Sequence, residues 1–159
     1  LTDDVGVSAG AAALSRRLLL AEESVSGACE LIAAHLLGSE EVEMVTLPGS
    51  EGELGIYPNH VPLMTRVQAG EIIVNRGGTE EVVAIGEGFA EITGDHIAIL
   101  TDNAANSADI DEAAAEEAKA KAEQRLEEGG DISEEEAKAL TQATLYSQAQ
   151  IKAKRRKRG

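Results

Sequence analysis

Imidazole ligates metals and titrates near neutrality, so the three histidines, His35, His60 and His96, are the first candidates for chemistry. They lie far apart, with no cysteine or carboxylate at ligand spacing beside them, and no metal site is expected. Gly49, Gly52 and Gly55 recur every third residue in GSEGELG. No helix follows them to turn its N–H groups toward a phosphate, which argues against a phosphate cradle. Gly86-Glu87-Gly88 runs from one strand into another and reads as a turn or bulge. Glu51 and Glu53 could pair as acid and base, yet carboxylates in a glycine-rich loop are ordinarily solvated turn residues. No Ser or Cys stands in a nucleophile's setting, and no catalytic constellation emerges. One charged cluster remains. Lys152, Lys154, Arg155, Arg156, Lys157 and Arg158 lie within IKAKRRKRG at the end of a chain whose formal net charge is −15. Such a tail fits an acidic protein surface, including the chain's own Glu-rich helix, better than a merely solvated helix end.

The acidic balance argues against nucleic acid and against anionic lipid, both of which need positive charge. The aromatics are Tyr57, Phe89 and Tyr146, so any core is built from Val, Ile, Leu and Ala. Cys29 is the sole cysteine, which excludes an internal disulfide and fits a small half-buried apolar residue. No run approaches the ~20 apolar residues of a membrane span, so direct membrane insertion is not expected. RRLLLA at 16–21 stops at Glu22-Glu23, short of the ~7–15 apolar residues of a secretion signal. A cytosolic chain is expected.

These residues must be positioned by elements read in order. Residues 1–27 read as an extension, with a short helix over 11–23 carrying Leu14, Leu18 and Leu19 on one face. ACELIAA (28–34) suggests a strand, and EVEMVTL (41–47) a clearer one. LPGSEGELGIYPNHVPLMT (47–65) reads as a loop that turns repeatedly. Pro58 and Pro62 lack donors and extend the residues before them, Tyr57 and Val61. Strands follow at 71–75, 80–86, 89–93 and 96–101, separated by glycine turns, and short strands at such spacing suggest a sandwich or barrel. Near residue 103 the β pattern stops in a polar linker of Asn103, Asn106 and Ser107. Residues 111–128 are rich in helix formers, with Asp109 or Asp111 as cap and Gly129-Gly130 as stop. Ser133 with Glu136 opens a second helix over 133–158. Contact faces of Ala115, Ala118, Ala122 and Leu126 against Ala137, Leu140, Thr144, Leu145 and Ile151 make an αα-hairpin. The expected fold is an N-terminal antiparallel β-sandwich followed by a C-terminal αα-hairpin. The units are 1–27, 28–106 and 107–159.

Gly-Ser-Glu-Gly-Glu-Leu-Gly-Ile (49–56), followed by Pro58, His60 and Pro62-Leu63, resembles the epsilon subunit of bacterial F-type ATP synthase. The resemblance extends over roughly 28–159, including DIDEAAAEEAKAKAEQRLEEGGDI (109–132). It implies a non-catalytic subunit of the central stalk, or rotor. Such a subunit binds the gamma subunit and rests on the ring of membrane subunits. It couples proton-driven rotation to ATP synthesis and inhibits ATP hydrolysis through its C-terminal helices. It implies a peripheral place at the cytoplasmic face of the bacterial inner membrane, with the mitochondrial or plastid counterpart as a variant. Glu51, Glu53, Tyr57 and His60 fall on the loop that meets ring and stalk. Ile110-Asp111 match the start of a nucleotide motif whose arginine is replaced by Ala114. That loss removes charge-assisted bonds to phosphate and puts ATP binding in doubt, so no cofactor is expected. Gln148 and Gln150 stand near where many members carry arginines, which shifts the inhibitory contact with the catalytic beta subunit toward the basic tail. The alternative is a free-standing ligand-binding β-domain dimerised by its hairpin.

Overall fold

The computed structural model of the chain describes residues 16–20, 40–93 and 96–157. Its strands are β1 (Arg16–Leu20), β2 (Glu40–Val42), β3 (Met44–Gly49), β4 (Gly52–Ile56), β5 (Leu63–Val67), β6 (Gly70–Arg76), β7 (Thr79–Ile85), β8 (Gly88–Ile92), β9 (His96–Thr101) and β10 (Ala104–Asn106). Two helices follow, α1 (Glu112–Glu128) and α2 (Glu134–Arg156). The strands order as β10-β7-β6-β3-β5-β8-β9-β1-β2, with β4 paired on β3. Glu43, next after β2, donates its N–H to the Asn75 carbonyl on β6 at 2.8 Å, so the sheet curls back on itself. This is the expected β-sandwich with a helical hairpin after it, antiparallel apart from the β1–β9 pair.

Alternation fixes which side chains fill the sandwich. Val45, Leu47, Ile56, Ile72, Val74, Val83, Ile85, Ile92, Ile97 and Ile99 are buried in one core cluster. These branched aliphatics suit a pleated surface and fill the core without aromatics. The residues between them point to the opposite side of the sheet. There Val82 and Ala84 of β7 join Ile110, Ala149 and Ala153 in a second cluster, flanked by Ala105 and Tyr146. The hairpin thus lies on the outer face of β6, β7 and β10, and alanines let α2 approach closely.

Four sequence expectations change. The stretch expected to be helical over 11–23 contains β1, parallel to β9 with Leu18 opposite Ile97. A short apolar run has no period that separates strand from helix, and pairing satisfies a sheet edge that would otherwise be open. The strand expected at 28–34 and Cys29 lie outside the described residues. The stretch 47–65, expected to be loop, contains a hairpin. Pro48 of β3 stands opposite Glu53 of β4, and a turn at 50–51 joins the strands, with Gly52 at φ 127°. Pro48 gives the ladder no N–H, while its carbonyl accepts from Gln68 N–H at 2.8 Å. The linker near 103 also carries a strand, β10, whose Ala105 pairs with Ala84. On the helices, Ala118 and Leu145 are exposed, whereas Ser147, Ala149 and Ala153 are buried. The face of α2 that counts is the one set by the sheet below it.

Candidate functional site

The hairpin's local chemistry follows its sequence. Asp111 caps α1, with Oδ1 accepting from the N–H groups of Ala113 and Ala114 at 3.0 and 3.2 Å. Ser133 caps α2, with Oγ accepting from Glu136 N–H at 3.1 Å. The Glu136 carboxylate turns to Arg125 on α1, at 3.2 Å. These contacts set the turn of the hairpin, and the basic end of α2 is thereby carried back to the sandwich.

There the cations find carboxylates on two sides. Arg155 donates from Nε to Glu112 and from Nη2 to Glu116, each at 2.7 Å. Lys152 Nζ stands 2.7 Å from Glu71 Oε2, and Arg156 Nε donates to Glu71 Oε1 at 3.2 Å. Glu80 lies 3.9 Å from Arg156. Lys154 Nζ donates to the Ala108 carbonyl at 2.9 Å. The hydrogen bond and charge of Glu71 raise the Arg156 pKa, with lesser contributions from Glu80 and Glu53. Those of Glu112 do the same for Arg155, with Glu116 adding a smaller part. Lys157 is exposed at the helix cap, and Arg158 lies outside the described residues.

The residues of the glycine-proline stretch are not one cluster. Glu51 sits in the turn before β4 and Tyr57 follows β4, so the strand between them holds the two roughly 20 Å apart. Glu53 stands opposite Pro48 on the outer face that also carries Glu71 and Glu80, and its charge reaches Arg156. At the other end, Asn59 takes φ 63° and His60 is half-buried. The His60 ring meets the Val61 carbonyl through Nδ1 at 2.7 Å, and the His60 backbone N–H donates to the Tyr57 carbonyl at 3.2 Å. Tyr57, Val61 and Met64 are more than half exposed around it, at 58%, 71% and 69%. Singly, exposed apolar residues are ordinary, but Tyr57, Val61 and Met64 fall close together at the proline loop and the start of β5.

Ile110 is buried under the hairpin, and Asp111 is occupied as a cap. The depression beside them, about 500 Å³, is lined by Asp111, Glu112 and Glu116 against Lys154. Two of these carboxylates, Glu112 and Glu116, are the ones that Arg155 holds. Among the described residues no group of His, Cys, Asp and Glu stands at metal-binding geometry. Nor does any helix there have the length and apolarity to cross a membrane. Glu71 escaped sequence reasoning. Its one signal was a carboxylate heading the otherwise apolar run EIIV.

Among the described residues a ten-stranded sheet bears a docked helical hairpin, and residues 31–107 match the family model described as ATP synthase, Delta/Epsilon chain, beta-sandwich domain. The ATP synthase epsilon chain of Laribacter hongkongensis is 42% identical over 117 residues, covering 72% of this chain and 82% of the relative. That of Desulforamulus reducens is 44% identical over 92 residues, covering 58% and 70%. This chain belongs to the ATP synthase epsilon chain family. The fold is shared at lower identity with a chain in the cryo-EM structure of the Euglena gracilis mitochondrial ATP synthase, OSCP/F1/c-ring in rotational state 1. The TM-score there is 0.69 at 20% identity, over 93% of this chain and 86% of that one. Family membership sets aside the free-standing ligand-binding domain.

Proposed function

We propose that this chain, a rotor subunit of an F-type ATP synthase, is non-catalytic. In this reading its sandwich transmits rotation while its hairpin restrains ATP hydrolysis. The gamma subunit and the ring of membrane subunits are its partners. The apolar group of Tyr57, Val61 and Met64 and the exposed Glu51 are the surfaces suited to them. Glu53 and His60, named with these by resemblance, have partners within the chain as well. Within that complex the chain sits peripherally, at the cytoplasmic face of the bacterial inner membrane, and no cofactor is needed. With Ala114 in place of an arginine and a depression lined by carboxylates, ATP is not held here.

One observation carries the regulatory reading. Lys152 and Arg156 are paired with Glu71 of the sheet in the docked hairpin. The same cations cannot pair at once with an acidic segment of the catalytic beta subunit. Docked and inhibitory states therefore exclude each other. Each exposed pair with such a segment contributes only ~0.2–1 kcal/mol, so several must act together. The test replaces Lys152, Lys154, Arg155, Arg156, Lys157 and Arg158 by Gln in the reconstituted complex. Assembly is unchanged and ATP hydrolysis rises, with a difference from wild type that shrinks as salt screens the contact. Equal hydrolysis rates at low salt would exclude an inhibitory tail.

A further inference from the structure

The carboxylate of Glu71 is 3% exposed, the most deeply covered charge in the basic-tail network. It stands on the outer face of β6, opposite Ala84, and α2 closes over it. Its two cations are not equally good partners. Arg156 Nε donates to Oε1, whereas Lys152 Nζ approaches Oε2 without a well-directed hydrogen bond. Lys152 and Arg156 themselves are 64% and 38% exposed, so they stay hydrated if the pair breaks. Glu71 reaches water only if α2 lifts. Glu53 and Glu80 on the same face supply further negative charge and no compensation.

The geometry points to Glu71 as a conditional latch, a buried carboxylate that tolerates the docked hairpin only while Lys152 and Arg156 are paired to it. An acidic surface that captures those cations does more than compete for them. It leaves a covered charge without a counter-ion, and solvating that charge drives α2 off the sheet. The asymmetry follows from desolvation. Removing one side of a buried pair strands the other, whereas replacing both is nearly neutral. Arg155 takes no part, because Glu112 and Glu116 lie on α1 and move with the hairpin.

The latch concerns docking, and only its link to hydrolysis rests on the function proposed above. Hydrogen exchange over residues 146–156 of the isolated full chain tests it without any partner subunit, because packing protects that helix end. Lys152→Gln with Arg156→Gln accelerates exchange by roughly tenfold or more. Glu71→Met stays within about threefold of wild type, and the triple variant returns to that level. At fixed ionic strength, poly-L-glutamate accelerates exchange in wild type and not in Glu71→Met. A triple variant exchanging as fast as the double overturns the latch. So does Glu71→Met exchanging as fast as the double, or responding to poly-L-glutamate as wild type does.

Discussion

Gln142 donates from Nε2 to Glu87 Oε2 at 3.0 Å, joining the first half of α2 to the turn between β7 and β8. The Arg156–Glu71 contact lies about 21 Å further along the same helix. Two polar points with alanines between them hold α2 against pivoting. Gln142→Ala removes one point and leaves Glu87 free to take water. We expect docking weaker by about 0.5–1.5 kcal/mol, seen as faster amide exchange across α2 with unchanged protection of β6. Equal loss of protection in both would mean that hairpin and sheet open as one unit.

Gly88 tests the sandwich instead. A Cβ placed there would run into the Leu100 carbonyl oxygen, and that atom is backbone, without freedom to turn away. Gly88 lies opposite Thr101 on β9, so β8 and β9 must part to admit a methyl group. Gly88→Ala is expected to destabilise the chain by about 3 kcal/mol, measured by denaturant unfolding. Gly86, whose Cβ would meet its neighbours at 3.6 Å, is the matched control and loses far less.

The contrast between those glycines marks how far the sequence could be read. Both sit in GEG and invite the same turn, and only the fold shows which one has Leu100 against it. The alternating strands and the caps at Asp111 and Ser133 were legible, because each rests on local periodicity or a local side-chain bond. β10 was not, since Ala104, Ala105 and Asn106 have little strand preference and pair only because β7 offers an edge. Nor was the hairpin within 47–65, where glycines and prolines signal turns but not the strand between them. The basic tail stood out as charge, while its partner Glu71 lies 85 positions away and has no local mark.

Tyr146 gives a pH test of docking. Its ring packs beside the cluster of Val82, Ala84 and Ile110, and burial raises the phenol above its ordinary value, while a hydrogen bond with Gln150 acts in the opposite direction. The neutral phenol is thus favoured in the docked state, and the undocked hairpin returns it toward ~10. Below about 10 both states hold the proton, so this group's full contribution to docking is present. As pH rises above that value the undocked form releases its proton first, and the contribution is lost as pH climbs through the raised value. Tyr146→Phe keeps the ring and removes the titration. Amide exchange of α2 should therefore accelerate more steeply with pH in wild type than in Tyr146→Phe, after correction for intrinsic exchange, above about pH 10 and not below it. Parallel curves throughout would place the phenol in water and the helix end off the sheet.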